Sequence, residues 1–172
     1  DFEGQVVVVY FGYTFCPDVC PASLAELATA VQMLDEGDRA PLAQLNELLP
    51  KLHAAMTAVG PLPGDPPFDP EVDLDRRFEL FSRLHRLLGD LDSYWMEYDV
   101  TPDRQEMSGS LADDLTDIYC ELKHGLGVAE MSPDPGPALR GWRCGYRVHW
   151  GKHLVDAERH LYELSARDQL SV

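Results

Sequence analysis

The chain of 172 residues is the length of one ordinary domain, or of one domain with an appendage. With 30 acidic residues against 14 basic ones its net charge is −16, which excludes a nucleic-acid binder and docking on anionic lipid, since both need a basic face. Hydrophobic residues make up 45%, enough for a packed core, and no apolar run approaches the roughly 18 residues of a membrane span. No signal peptide is recognisable, and a start at Asp1 rather than Met reads as a processed product or a fragment.

Residues Gln5 to Phe11, QVVVVYF, form a continuous β-branched and aromatic run of the kind that becomes a buried strand. Gly12-Tyr13-Thr14 breaks it, and Cys16-Pro17-Asp18-Val19-Cys20-Pro21 leads into a helix with Leu24, Leu27, Ala28, Val31 and Leu34 at helical spacing. Gly37 and Asp38 end this unit, and the pattern then turns wholly helical. A second helix starts near Pro41 and runs through Leu42, Leu45, Leu48, Leu49, Leu52 and Met56, with Pro50 expected to kink or split it. The proline-rich stretch from Gly60 to Pro70 separates it from a third helix, which carries Leu74, Phe78, Phe81, Leu84, Leu87 and Leu88 on one stripe and stops at Gly89. Asp92 to Tyr98, DSYWMEY, suits either an extended segment or a short helix. A fourth helix begins after Ser108-Gly109-Ser110 with Leu111, Leu115, Ile118, Leu122 and Leu126 inward. After the breaker from Ser132 to Pro137, a last helix spans about Ala138 to Ala166, with Trp142, Tyr146 and Trp150 at steps of four.

This pattern predicts a mainly α protein, a bundle of about five helices, with a strand–loop–helix appendage at residues 1–37 and the helical domain at 38–172. A lone buried-type strand leaves its backbone groups unpaired, so the Gln5 to Phe11 strand is expected to pair between chains and promote self-association.

Two constellations carry chemistry. Cys16 and Cys20 stand at a strand-to-helix turn, where the helix start favours a thiolate, and soft thiolates suit copper(I) or zinc. Cys120 and Cys144 stand alone and read as inert buried thiols. In the helical part Asp113, Asp114 and Asp117 occupy two turns, and Asp117, Glu121 and His124 continue one stripe. On the last helix His149, His153, Asp156 and His160 recur at steps of four, three and four, which places them on one face. A histidine pair such as His149 and His153, completed by Asp113 and Asp117 from a facing helix, makes a metal site. The same residues equally make a hydrogen-bonded core network. The basic stripe Arg140, Arg143, Arg147 and Lys152 is expected to neutralise carboxylates of the fourth helix. No phosphate loop, dinucleotide fingerprint or serine-nucleophile elbow is present, so no nucleotide cofactor and no catalytic residue is assigned.

The stretch FGYTFCPDVCPASL, from Phe11 to Leu24, closely resembles the signature of the Sco (SenC) family, thioredoxin-fold copper chaperones and thiol–disulfide proteins of the respiratory chain. The resemblance covers about residues 1–36 and implies copper binding or thiol exchange at Cys16 and Cys20, on a truncated thioredoxin-like strand–helix unit. The family's later strands and its histidine ligand are not recognisable. SLADDLTDIYCELKHGL from Ser110, HWGKHLVDAERHLYEL from His149, LLPKLHAA and LGDLDSYWMEYD resemble instead the bacterial family of unknown function numbered 5063, over roughly residues 40–168. That resemblance implies an all-helical domain and no known activity. The chain thus reads as a chimera joined near Glu36 to Asp38. Three functions are weighed: a helical binding or scaffold module, a copper or thiol redox protein acting through Cys16 and Cys20, and a metal-dependent helical enzyme using the Asp and His faces. The helical domain implies a cytoplasmic protein, and the Sco resemblance a periplasmic or membrane-tethered one.

Overall fold

The computed structural model describes residues 29–31, 33–34, 41–59, 73–97, 106–131 and 133–170. The strand expected at Gln5 to Phe11, the Cys16–Cys20 turn and the proline-rich stretch after Gly60 lie outside the described residues. The architecture is mainly α. Residues 29–31 and 33–34 are helical, and α1 (Pro41–Ala58), α2 (Leu74–Leu88), α3 (Leu111–Glu130), α4 (Gly136–Gly145) and α5 (Gly151–Ala166) follow. Between α2 and α3 a two-stranded antiparallel hairpin joins β1 (Ser93–Glu97) to β2 (Glu106–Ser110). Helix α3 is central, packing against α2, α4 and α5, while α1 packs on α5.

One apolar core unites these elements, with Leu45, Leu49, Leu84, Leu88, Leu115, Ile118, Leu122, Trp150 and Leu154 buried in it. Ala30, Val31 and Leu34, which precede the expected boundary at residue 37, belong to the same core.

Several sequence expectations are corrected. Pro50 does not split α1, which runs unbroken through it. Its ring is exposed while Leu48, Leu49 and Met56 are buried, so apolar packing holds the turn despite the missing helical hydrogen bond. In α2 the inward stripe is Leu80, Leu84 and Leu88, whereas Leu74 and Phe78 are exposed. Asp73 caps this helix by accepting from the Arg76 N–H, and Gly89 ends it at φ 55°, the left-handed region that suits glycine.

Within DSYWMEY, Ser93–Glu97 is extended, and the sequence gives no strand signal for its partner Glu106–Ser110, because EMSGS contains no β-branched or aromatic residue. The register places Tyr94 opposite Gly109. A Cβ at Gly109 would lie 2.3 Å from the Tyr94 ring, so the glycine makes room for that ring. At the base of the hairpin, Asp92 is 1% exposed. Its Oδ1 accepts from the Ala112 N–H at 2.7 Å and from Ser110 Oγ at 3.0 Å, and its backbone carbonyl accepts from the Leu111 N–H at 2.9 Å. Its Oδ2 accepts from His85 Nδ1 at 2.7 Å, tying the end of α2 to the start of α3.

The expected single last helix is interrupted by a π-helical turn at Tyr146–Trp150 between α4 and α5. Gly151 N–H reaches back five residues to the Tyr146 carbonyl, and a Cβ on Gly151 would stand 2.2 Å from that oxygen.

Two glycines of α3 separate packing from propensity. At Gly125 a Cβ would lie 2.0 Å from Trp142 Nε1, while at Gly127 nothing lies within 4 Å. Gly125→Ala should destabilise the protein by about 1–3 kcal/mol through overpacking. Gly127→Ala should stabilise it by about 0.5–1 kcal/mol through helix propensity. Denaturant unfolding of the two variants checks both signs.

Candidate metal centre

Helix α3 begins at Ser110, whose hydroxyl accepts from the Asp113 N–H at 3.2 Å. The helical repeat then turns Asp114 and Asp117 inward together with Leu111, Leu115 and Ile118, leaving each carboxylate only 4% exposed. A buried carboxylate must be paired or hydrogen-bonded, and partners arrive from three sides.

From α2 comes Arg77. Its Nε donates to Asp117 Oδ1 at 2.6 Å and its Nη2 to Asp113 Oδ1 at 3.0 Å. From the π turn and α5 come His149 and His153, with their rings edge to face at 5.3 Å. His153 Nδ1 donates to Asp114 Oδ1 at 2.8 Å, and His149 Nδ1 donates to Glu121 Oε1 at 3.3 Å. Both rings therefore engage a carboxylate through Nδ1 and turn Nε2 toward Asp117 Oδ2, at 3.3 Å for His153 and 3.8 Å for His149. From the hairpin, the Tyr94 hydroxyl donates to Asp114 Oδ2 in a short hydrogen bond.

Asp117, His149 and His153 each offer one ligand atom, all within 4.8 Å of one another. Ligands held about 2.0–2.1 Å from a tetrahedral zinc stand about 3.3 Å apart, so the separations from Asp117 Oδ2 lie close to those of a coordination shell. His149 is the more open of the two imidazoles, with 37% of its side chain exposed against 19% for His153.

The electrostatics of the cluster favour bound protons in the metal-free state. Burial pulls the His153 imidazole down, but its hydrogen bond with Asp114 and the charges of Asp117, Asp114 and Asp113 prevail and hold it above the ordinary histidine value. Burial pushes Asp114 up, against the opposing hydrogen bonds from His153 and Tyr94. Burial likewise raises Glu121 against the attraction of His149. The hydrogen bond to Asp117 and the neighbouring acidic charges outweigh the burial of Arg77 and fix its charge.

Of the residues singled out in the sequence, Asp117, His149 and His153 converge, while Asp113 stands beside them in an ion pair with Arg77. His124 is exposed. The expected single histidine face divides. Asp156 pairs with Lys152 at 2.9 Å, and the His160 Nε2–H donates to the Leu91 carbonyl at 2.7 Å. The expected role of the basic stripe is corrected for Lys152, which serves its own helix, and Arg77 is the cation set between Asp113 and Asp117. Cys16 and Cys20 lie outside the described residues. Cys120 and Cys144 are partly buried, and burial raises the Cys120 thiol away from its reactive form. Sequence reasoning missed Arg77 and Tyr94. Arg77 was legible in principle, since it precedes Leu80, Leu84 and Leu88 at steps of three, four and four.

A helical bundle built around a carboxylate–imidazole cluster is the class of protein these observations define. The family profile "Domain of unknown function (DUF5063)" matches residues 21–167, and the chain belongs to that family. The crystal structure of protein BF1032 from Bacteroides fragilis has the same fold, with a TM-score of 0.65 over 87% of this chain and 96% of that one, at 19% identity. A short stretch is similar to a different group. It is 48% identical over 44 residues to the mitochondrial protein SCO2 homolog of Mus musculus, covering 26% of this chain and 17% of that protein. It is 47% identical over 38 residues to the human mitochondrial protein SCO1 homolog, covering 22% and 12%, and 39% identical over 36 residues to a SCO2-like protein of Rickettsia felis, covering 21% and 18%. The matched stretch thus spans less than a fifth of these relatives' length. No helix among the described residues is long and apolar enough to cross a membrane.

Asp114, Glu121 and His153 all bind protons more tightly folded than unfolded. Their contribution to stability is therefore full below the unfolded values and is lost as pH rises through the folded ones. The thermal midpoint of the metal-free protein should fall between about pH 5 and about pH 8, and His153→Gln should flatten the part above about pH 6.5. Calorimetry across that range measures both slopes.

Proposed function

We propose that this protein is a helical binding module whose centre, Asp117, His149 and His153, holds a divalent transition-metal ion of the zinc type. The observation that supports this reading is the orientation of the two imidazoles. Each is held at Nδ1 by a carboxylate, and each turns Nε2 toward the same oxygen of Asp117. Metal-binding histidines characteristically donate their other ring N–H in this way, which fixes the tautomer and raises ligand basicity. Two nitrogens and one carboxylate oxygen suit zinc or cobalt rather than calcium or magnesium, which prefer all-oxygen shells. Arg77 holds the second oxygen of Asp117 and leaves one oxygen for the ion. Three protein ligands leave a coordination position for water, so a hydrolytic activity would be the enzymatic form of the same proposal.

The test is the metal content of the reduced protein after loading with zinc and dialysis. The expected result is about one equivalent of bound zinc, lost in a His149→Ala, His153→Ala double variant. Equal zinc in both proteins, or none in the parent, would overturn the proposal.

A second reading is favoured by one observation, the FGYTFCPDVC stretch and its similarity to SCO proteins. Under that reading Cys16 and Cys20 bind copper(I) or exchange between dithiol and disulfide. Copper(I) titration against a competing chelator should then show about one equivalent taken up by the parent and none by a Cys16→Ser, Cys20→Ser variant. No uptake by the parent would end the copper reading.

A further inference from the structure

The metal ligands are not the deepest part of the network. Asp114 touches no candidate coordination position, yet both of its oxygens are committed. Oδ1 receives the His153 Nδ1–H at 2.8 Å and Oδ2 receives the Tyr94 hydroxyl. The carboxylate is thus gripped from α5 on one side and from the hairpin on the other. Its orientation keeps the His153 Nδ1–H on Asp114 and so leaves Nε2, facing Asp117, as the nitrogen an ion would take.

Tyr94 is in turn placed with little freedom. It is 5% exposed and faces Gly109 across the ladder, where a side chain would collide with its ring. Its ring lies 4.7 Å from that of His160, and the Arg159 guanidinium stands 5.2 Å from its centroid. His160 is tied back to the Leu91 carbonyl, and Arg159 Nη2 donates to the Trp95 carbonyl at 3.2 Å. Three contacts therefore seat the hairpin on α5 around this one phenol, and His160 is fixed from the turn just before the hairpin. His149 has a looser arrangement, with its carboxylate partner at 3.3 Å and a more exposed ring.

We infer that Tyr94 and Asp114 are positioning residues that make the affinity of the metal centre depend on the seating of the β1–β2 hairpin. This rests on the metal reading of Asp117, His149 and His153. The hairpin works as the regulatory element of the site. When it is docked, the phenol fixes Asp114 and the imidazole is preorganised. When it lifts, Asp114 loses a donor and His153 is free to rotate. By linkage, metal binding must in turn hold the hairpin down.

The experiment uses the full chain and measures zinc affinity by competition with a chromophoric chelator. Asp114→Asn should weaken zinc by about 10–100-fold, the usual cost of losing an outer-shell partner. Tyr94→Phe, which keeps the ring and its packing, should weaken it by roughly 3–10-fold, since the lost hydrogen bond lies one step further out. Amide hydrogen exchange in the hairpin should slow on zinc addition in the parent, and less so in Tyr94→Phe. A merely structural tyrosine would not make hairpin exchange depend on zinc. Should Asp114→Asn fail to fold, Tyr94→Phe carries the test alone. Parent and variants binding zinc equally, with hairpin exchange indifferent to the metal, would overturn the inference and leave the metal reading standing. A parent that binds no zinc would overturn both.

Discussion

Two carboxylates on the inner face of α3, Asp114 and Asp117, have almost no water to solvate them. A buried ionised carboxylate without partners costs several kcal/mol, so every oxygen has to be answered from within the protein. The answers come from separate pieces of chain. Arg77 comes from α2, Tyr94 from β1, and His149 and His153 from the π turn and α5. Packing around α3 is therefore directed as well as apolar. A bundle with the same leucines and no buried acids could slide or rotate its helices at small cost, whereas here a shift of one helix strands a charge.

A second polar knot sits at the start of α3. Asp92 caps the helix, closes the hairpin and receives His85 from the end of α2, so three elements meet at one side chain. Together the two knots bracket the hairpin, one at its base and one at Tyr94. The first helical residues among those described, with Ala30, Val31 and Leu34, share the core of the bundle, and the family profile begins at residue 21. The stretch similar to SCO proteins covers 22–26% of the chain.

Much of this was legible in the sequence where burial follows periodicity. Leu111, Leu115, Ile118 and Leu122 read inward and are buried, Gly89 reads as a stop and stops α2, and His149 and His153 read as one face and meet. The failures have a common cause. Leu74 and Phe78 look like core but are exposed, and Arg77 joins the inward side of α2 to meet Asp113 and Asp117, partners that no local pattern encodes. β2 is a strand through pairing rather than propensity, with Gly109 placed to admit a ring fifteen positions away. Tyr94 was invisible for the same reason, since its partner lies twenty residues further along.

The π turn has a consequence for how this protein can change. The buried positions Ala138, Trp142, Gly145, Trp150, Leu154, Ala157, Leu161 and Leu164 advance by threes and fours except for one step of five, from Gly145 to Trp150. The wider π turn absorbs that surplus residue, so the buried stripe of α5 continues the one of α4. Deleting one residue between Gly145 and Gly151 would restore an ordinary helix and leave α4 in place. It would also turn the step of five into a step of four, so the buried stripe would run on at α-helical spacing and the apolar face of α5 would stay toward the core. The segment can thus lose one residue without changing the phase of α5, whereas one more residue, with no wider turn to absorb it, would rotate α5 by about 100° and carry His153 away from Asp117.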